Sequence, residues 1–132
     1  MIGVVLDTDV VSFLFKRDTR ADLYRPHLTG KISVISFMTL AELDRWSIER
    51  NWGANRKRKM EEHLKNFVIH HSNRELSLKW AEVSHSARRN GRPIQSADAW
   101  IAATAILHDV ALITHNRNDF IGVDGLTIIS ES

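Results

Sequence analysis

The chain has 132 residues, 43% of them hydrophobic and 26% charged, with a formal net charge of +2 and no cysteine. That length suits one domain spanning residues 1–132, and the balance of apolar and charged residues excludes a disordered or fibrous chain. Without thiols there is neither a disulfide framework nor a zinc–thiolate centre, so any metal chemistry must use oxygen or imidazole. No apolar run approaches the roughly 18 residues of a membrane span, and no signal-peptide pattern opens the chain; the expectation is a cytoplasmic protein with no membrane partner.

In chain order, Ile2–Leu6 is apolar, rich in β-branched residues and stops at Asp7, as expected of a strand buried on both faces of a parallel sheet. Thr8 or Asp9 is suited to cap the helix that follows, where Val10, Val11, Phe13 and Leu14 recur at helical spacing before the polar Lys16-Arg17-Asp18 break. A short helix over Ala21 to Leu28, a turn at Gly30 and a strand over Ile32 to Ile35 make the second unit. From Thr39 a helical pattern through Leu40, Leu43, Trp46 and Ile48 runs toward Trp52, Gly53 interrupts it, and a basic amphipathic stretch continues to about Phe67.

Val68-Ile69 reads as a third strand, and Glu75 to Arg89 as a helix ending at the Asn90-Gly91-Arg92-Pro93 turn. Ser96 is placed to cap the alanine-rich helix Ala97 to His108; Val110 to Ile113 and Leu126 to Ile129 close the series as strands. Strands alternating with helices imply right-handed crossovers and a three-layer α/β/α sandwich around a mainly parallel sheet. In such sheets ligands bind beyond the carboxyl ends of the strands, where the strand order reverses.

Four acids stand near those ends: Asp7 after the first strand, Glu42 shortly after the second, Asp98 in the first turn of the alanine-rich helix and Asp119 shortly after Thr114. Each also has a structural explanation. Thr39-Leu40-Ala41-Glu42 matches a capping box, Asp98 is favoured by the helix dipole, and Asp119 follows Asn116 at cap spacing. Asp7 has the weakest such explanation, because a carboxylate ending a buried strand is costly unless something pairs with it. Carboxylates gathered on one rim raise each other's pKa unless a cation neutralises them, and an all-oxygen set suits Mg²⁺ or Mn²⁺, which also bind phosphate oxygens.

Val5-Leu6-Asp7-Thr8-Asp9-Val10, Thr39-Leu40-Ala41-Glu42-Leu43, Ser96-Ala97-Asp98-Ala99-Trp100-Ile101-Ala102-Ala103 and Leu112-Ile113-Thr114-His115-Asn116-Arg117-Asn118-Asp119-Phe120 together resemble the PIN-domain family, in particular the VapC toxins of bacterial toxin–antitoxin pairs. The resemblance spans nearly the whole chain in order. It implies an α/β/α fold, Mg²⁺- or Mn²⁺-dependent endoribonuclease activity, a homodimer, and a cognate antitoxin that blocks the acidic pocket. Asp7, Glu42 and Asp98 match the family's principal acids. Many relatives carry Asp at the position of Asn116 and a second acid three residues on, so here only Asp119 keeps the charge, and Asp9 stands where Asn is more usual. On this reading Asp7, Asp98 and Asp119 contact the metal, Glu42 ligates a second ion or positions water, and Thr8, Thr39, Thr114 and Asn116 are supporting residues that orient acids or waters or else serve as caps.

Two basic stretches, Arg50 to Lys59 and Arg88-Arg89-Arg92, are expected either to grip RNA phosphates or to be solvated helix faces, with Trp46 and Trp52 as stacking surfaces or core. Rival readings are a metal-independent ribonuclease using His70, His71, His85 or His115, and a non-catalytic RNA- or partner-binding module. A phosphoryl-accepting domain would want a lysine near the last strand, and none lies between Ile113 and Ser132.

Overall fold

The computed structural model describes residues 2–132. Its elements in order are β1 (Gly3–Leu6), α1 (Thr8–Lys16), α2 (Ala21–Leu28), β2 (Ile32–Ser36), α3 (Phe37–Glu49), α4 (Ala54–Leu64), β3 (Val68–His70), α5 (Arg74–Arg89), α6 (Ser96–His108), β4 (Leu112–Ile113), a 3₁₀ turn (Arg117–Asp119) and β5 (Ile128–Ile129). The five strands form one sheet in the order β3-β2-β1-β4-β5, and every pair is parallel. Among the described residues no helix is long and apolar enough to cross a membrane.

Alternation along the strands divides the core into two layers. Val5, Val34 and Leu112 face the side covered by α5 and α6, where Leu76, Val83, Ile101 and Phe120 are buried. Val4, Leu6, Ile35 and Ile113 face the other side, packed with Val10, Val11, Tyr24, Leu43, Met60 and Leu64 from α1 to α4. Both faces are thus covered, which is why the strands read as apolar runs rather than as alternating patterns.

Three helix caps differ from the sequence expectation. Asp7, not Thr8 or Asp9, caps α1, its Oδ1 accepting from the Thr8 N–H at 2.8 Å. The helix expected from Thr39 begins at Phe37, capped by the Ser36 hydroxyl, so Thr39 and Glu42 lie inside the helix and form no capping box. Ser96 is the first residue of α6 rather than its cap; Gln95 holds that position without a side-chain bond. For α1 and α3, a strand that runs straight into a helix leaves no spare residue for the cap, so the last strand residue or its successor takes the role. β4 and β5 are two residues each, shorter than their apolar runs, because β5 lies at the sheet edge and pairs only along Leu112↔Ile128 and Ile113↔Ile129.

Candidate active site

From β1 the chain passes to β2 on one side, and after α6 it returns to β4 on the other. The strand order therefore reverses between β1 and β4, opening a crevice at their carboxyl ends. Asp7 leaves β1 at this point, and Thr114 leaves β4 beside it. The Asp7 backbone N–H bonds to the Ile113 carbonyl at 2.9 Å, continuing the ladder up to the acid.

Asp7 is almost wholly buried, at 6% exposure. Its Oδ2 accepts from the Thr114 hydroxyl at 2.7 Å and its Oδ1 from the Thr8 N–H. These bonds favour the ionised form, yet burial first and Asp9 second push its pKa up to about 8, with Asp98 adding to the rise. Thr114 in turn accepts from the Asn116 N–H at 3.0 Å, so one buried hydroxyl ties the acid to the loop after β4.

Glu42 arrives from the second turn of α3. The Thr8 hydroxyl donates to its Oε1 at 2.9 Å and shares a hydrogen bond of 3.0 Å with the buried Thr39 hydroxyl. Asp98 lies in the first turn of α6, half-buried; burial, then Asp119, Glu42 and Asp9 push its pKa up to about 6. Asp119 ends the 3₁₀ turn and is exposed. The structure therefore places Asp7, Glu42 and Asp119 within electrostatic reach of Asp98, with Thr114 as the hydroxyl partner of Asp7 and Thr8 as that of Glu42, while Thr39 bonds Thr8 rather than an acid.

Asp9 belongs to the same cluster. Its Oδ2 accepts from the Asn116 amide at 2.9 Å and from the His115 N–H at 3.1 Å, while Oδ1 accepts from the Val10 N–H at 2.7 Å. Burial pushes its pKa up despite these donors. Asn116 thus supports Asp9 rather than Asp7 or Asp119. Tyr24, fully buried, escaped the sequence reading: its hydroxyl meets His115 Nδ1 at 2.5 Å and accepts from the Glu131 N–H at 3.0 Å, holding the far side of the loop. Nothing in the pattern of its short, polar helix marks it.

His115 is thereby engaged in packing, in edge contact with Phe13 and Tyr24. His70 meets His108 ring to edge at 4.7 Å, and His85 is exposed on α5. Among the described residues no histidine pairs with His115.

Among the described residues, no group of three His, Asp or Glu side chains is placed to hold a metal ion directly. The donor set still fits Mg²⁺ or Mn²⁺. It is all oxygen, and its members raise each other's pKa as a neutralising charge would reverse. Mg²⁺ in particular takes one or two carboxylates and keeps several waters, so it needs no closed cage of side chains.

Residues 4–126 match the PIN domain family. The chain belongs to that family. Like it in sequence is the Ribonuclease VapC1 of Haemophilus influenzae strain R2866, 28% identical over 118 residues that cover 88% of each chain. Among solved structures, VapBC2 from Rickettsia felis bound to a promoter DNA fragment contains a chain of the same fold, with a TM-score of 0.85, 20% identity and full coverage of both chains. VapBC-1 from nontypeable Haemophilus influenzae gives a TM-score of 0.76 at 26% identity over 98% of both chains. The PIN match spans all four acids and the crevice between β1 and β4.

Proposed function

We propose that this PIN-domain protein is a Mg²⁺- or Mn²⁺-dependent endoribonuclease, the toxin of a toxin–antitoxin pair, acting in the cytoplasm as a homodimer restrained by a cognate antitoxin. The observation that carries this reading is the convergence of Asp7, Glu42, Asp98 and Asp119 on the crevice between β1 and β4, with Asp7 buried at its floor. It is supported by relatives named Ribonuclease VapC1 and by structural neighbours that are VapBC complexes.

Asp7, Asp98 and Asp119 are the residues to hold the ion, directly or through water, and Glu42 either holds a second ion or positions the attacking water. A bound divalent ion supplies a lowered water pKa and polarisation of the scissile phosphate. The protein's own part is orientation. Thr114 fixes Asp7 and the loop after β4, Thr8 aims Glu42 into the crevice, and Asp9 locks Asn116 and His115 on its border. Water is the nucleophile in such hydrolysis, and the break leaves a 5′-phosphate and a 3′-hydroxyl without use of the ribose 2′-OH.

The test is incubation of purified protein with total RNA and Mg²⁺ or Mn²⁺, comparing wild type with Asp7→Ala and Asp98→Ala. Discrete cleavage by wild type alone, abolished by EDTA, is expected. Equal activity in all three proteins overturns the acidic mechanism, and cleavage that survives EDTA favours a histidine mechanism instead. Growth arrest on expression tests the toxin role, and light-scattering mass the homodimer.

A further inference from the structure

A cleft of 1060 Å³ lies between the C-terminal end of α1 and α4, away from the acids. One helix joins the two places: Asp7 caps the start of α1 and Lys16 is its last residue, roughly 13 Å along at 1.5 Å per residue. Lys16, Arg17, Arg56, Arg58 and Lys59 line the cleft against a single acid, Glu62, which is engaged with Lys65 at 2.9 Å. Among the described residues, Lys16, Arg50 and Arg56 have no carboxylate within ion-pair distance.

These cations are held by aromatic rings. The Arg56 guanidinium lies 4.5 Å from the centre of Trp52 and 5.4 Å from that of Phe15, and the two rings stack on one another. Trp46 carries Lys16 at 5.8 Å and Arg50 at 5.3 Å. A ring face orients a cation without neutralising it. Trp46 and Trp52 also pack into the core beside α1, so they are supports for cations rather than bare surfaces for bases. His63 in the same cleft is held below its usual range by burial and adds no charge. Burial and the neighbouring Arg50, Arg56 and Arg20 likewise draw the Lys16 pKa down, a sign of like charges crowded together. In the other basic stretch Arg89 pairs with Asp124 at 2.9 Å and Arg92 packs against Gly122, and among the described residues no aromatic ring orients its cations.

We propose that this cleft binds the phosphate backbone of the RNA strand flanking the scissile bond, gripping it on Lys16 and Arg56 in the orientation that Phe15, Trp46 and Trp52 impose. The identity of the polyanion as RNA rests on the nuclease reading. Crowded, oriented and unpaired cations are complementary to consecutive phosphates, and Arg presents a fork that suits phosphate oxygens.

Anisotropy of a fluorescein-labelled, unstructured oligoribonucleotide, titrated with the full chain in EDTA over a salt series, tests it. Lys16→Gln/Arg56→Gln changes two exposed side chains and is expected to weaken binding about tenfold at low salt. The log–log salt slope should flatten by about 1.4, each phosphate on a single strand contributing about 0.7. Arg88→Gln/Arg89→Gln, on α5, should leave the slope unchanged. An unaltered slope in Lys16→Gln/Arg56→Gln overturns the proposal, as does a variant that keeps RNA affinity but loses affinity for an oligoglutamate peptide, which would mark a protein-binding cleft. Because cleavage is absent in EDTA, the two readings separate. A chain that binds RNA here yet never cleaves it refutes the nuclease alone; one that cleaves RNA but shows no effect of Lys16→Gln/Arg56→Gln refutes the cleft alone.

Discussion

The Thr114 hydroxyl donates to Asp7 Oδ2 at 2.7 Å across 107 residues of sequence, joining the ends of β1 and β4 at the floor of the crevice. The same oxygen accepts from the Asn116 N–H, so the loop that carries Asp119 is tethered to the buried acid through one atom.

Thr114→Val keeps the shape and removes that atom. The buried Asp7 Oδ2 and the part-buried Asn116 N–H then each lose a hydrogen bond, while Oδ1 keeps the Thr8 N–H, and stability should fall by about 1–3 kcal/mol. Loss of an outer partner that orients a ligating acid should lower metal-dependent cleavage about 10–100-fold, with more Mn²⁺ needed for half-maximal rate. Urea denaturation and a Mn²⁺ titration of cleavage measure the two effects; an unchanged Mn²⁺ requirement would count against Asp7 as a metal-binding acid.

Asp7→Asn removes the charge while keeping most of the shape. In EDTA at pH 9, where Asp7 is largely ionised at the expense of burial, the variant should melt at a higher temperature than wild type. It should also lose cleavage and the stabilisation that Mn²⁺ gives wild type. A lower Tm for the variant under these conditions would mean that the carboxylate stabilises the fold by itself.

The pH dependence of stability follows from the same carboxyls. Asp7 at about 8 and Asp98 at about 6 both lie above the ordinary carboxylate range near 4. Between pH 4 and pH 8 the native chain therefore binds more protons than the unfolded chain. Their contribution is complete below about pH 4 and is lost as pH rises through about 6 and then about 8. Metal-free protein should accordingly lose stability across this window, and Asp7→Asn should flatten its upper part. Denaturant midpoints in EDTA at successive pH values check this; identical pH profiles for wild type and Asp7→Asn would rule it out.

Gly122 lies where a Cβ would meet Arg92 Cβ and the Arg92 carbonyl oxygen at 2.7 Å. One of those atoms is backbone and cannot swing away. Gly122→Ala should thus cost about 1–3 kcal/mol by overpacking. It should also weaken the bond from the Asn90 amide to the Gly122 carbonyl, now 2.9 Å. A thermal melt within error of wild type would show that the loop relaxes freely.

Much of this was legible in the chain. Val4-Val5-Leu6 and Val34-Ile35 declare doubly buried parallel strands because every residue is apolar, and α2 was bounded correctly at Ala21 and Leu28 by its neighbouring turn residues. Period and composition are local properties, so local reading reaches them. The placement of four acids near strand ends was legible for the same reason, once the sheet was taken as parallel.

The tertiary structure alone decided which structural explanation each polar residue had. Thr39-Leu40-Ala41-Glu42 has the spacing of a capping box, yet the helix starts earlier at Phe37 and Thr8 claims Glu42 from another element. The pairing of Asp9 with Asn116, the seat of Tyr24 against His115 and the gathering of Lys16, Arg50 and Arg56 over aromatic rings all join residues far apart in the chain or on separate helices. Hydrogen bonds and charge crowding depend on distances of a few ångströms, and those distances are set by how helices pack on the sheet, not by spacing along the chain.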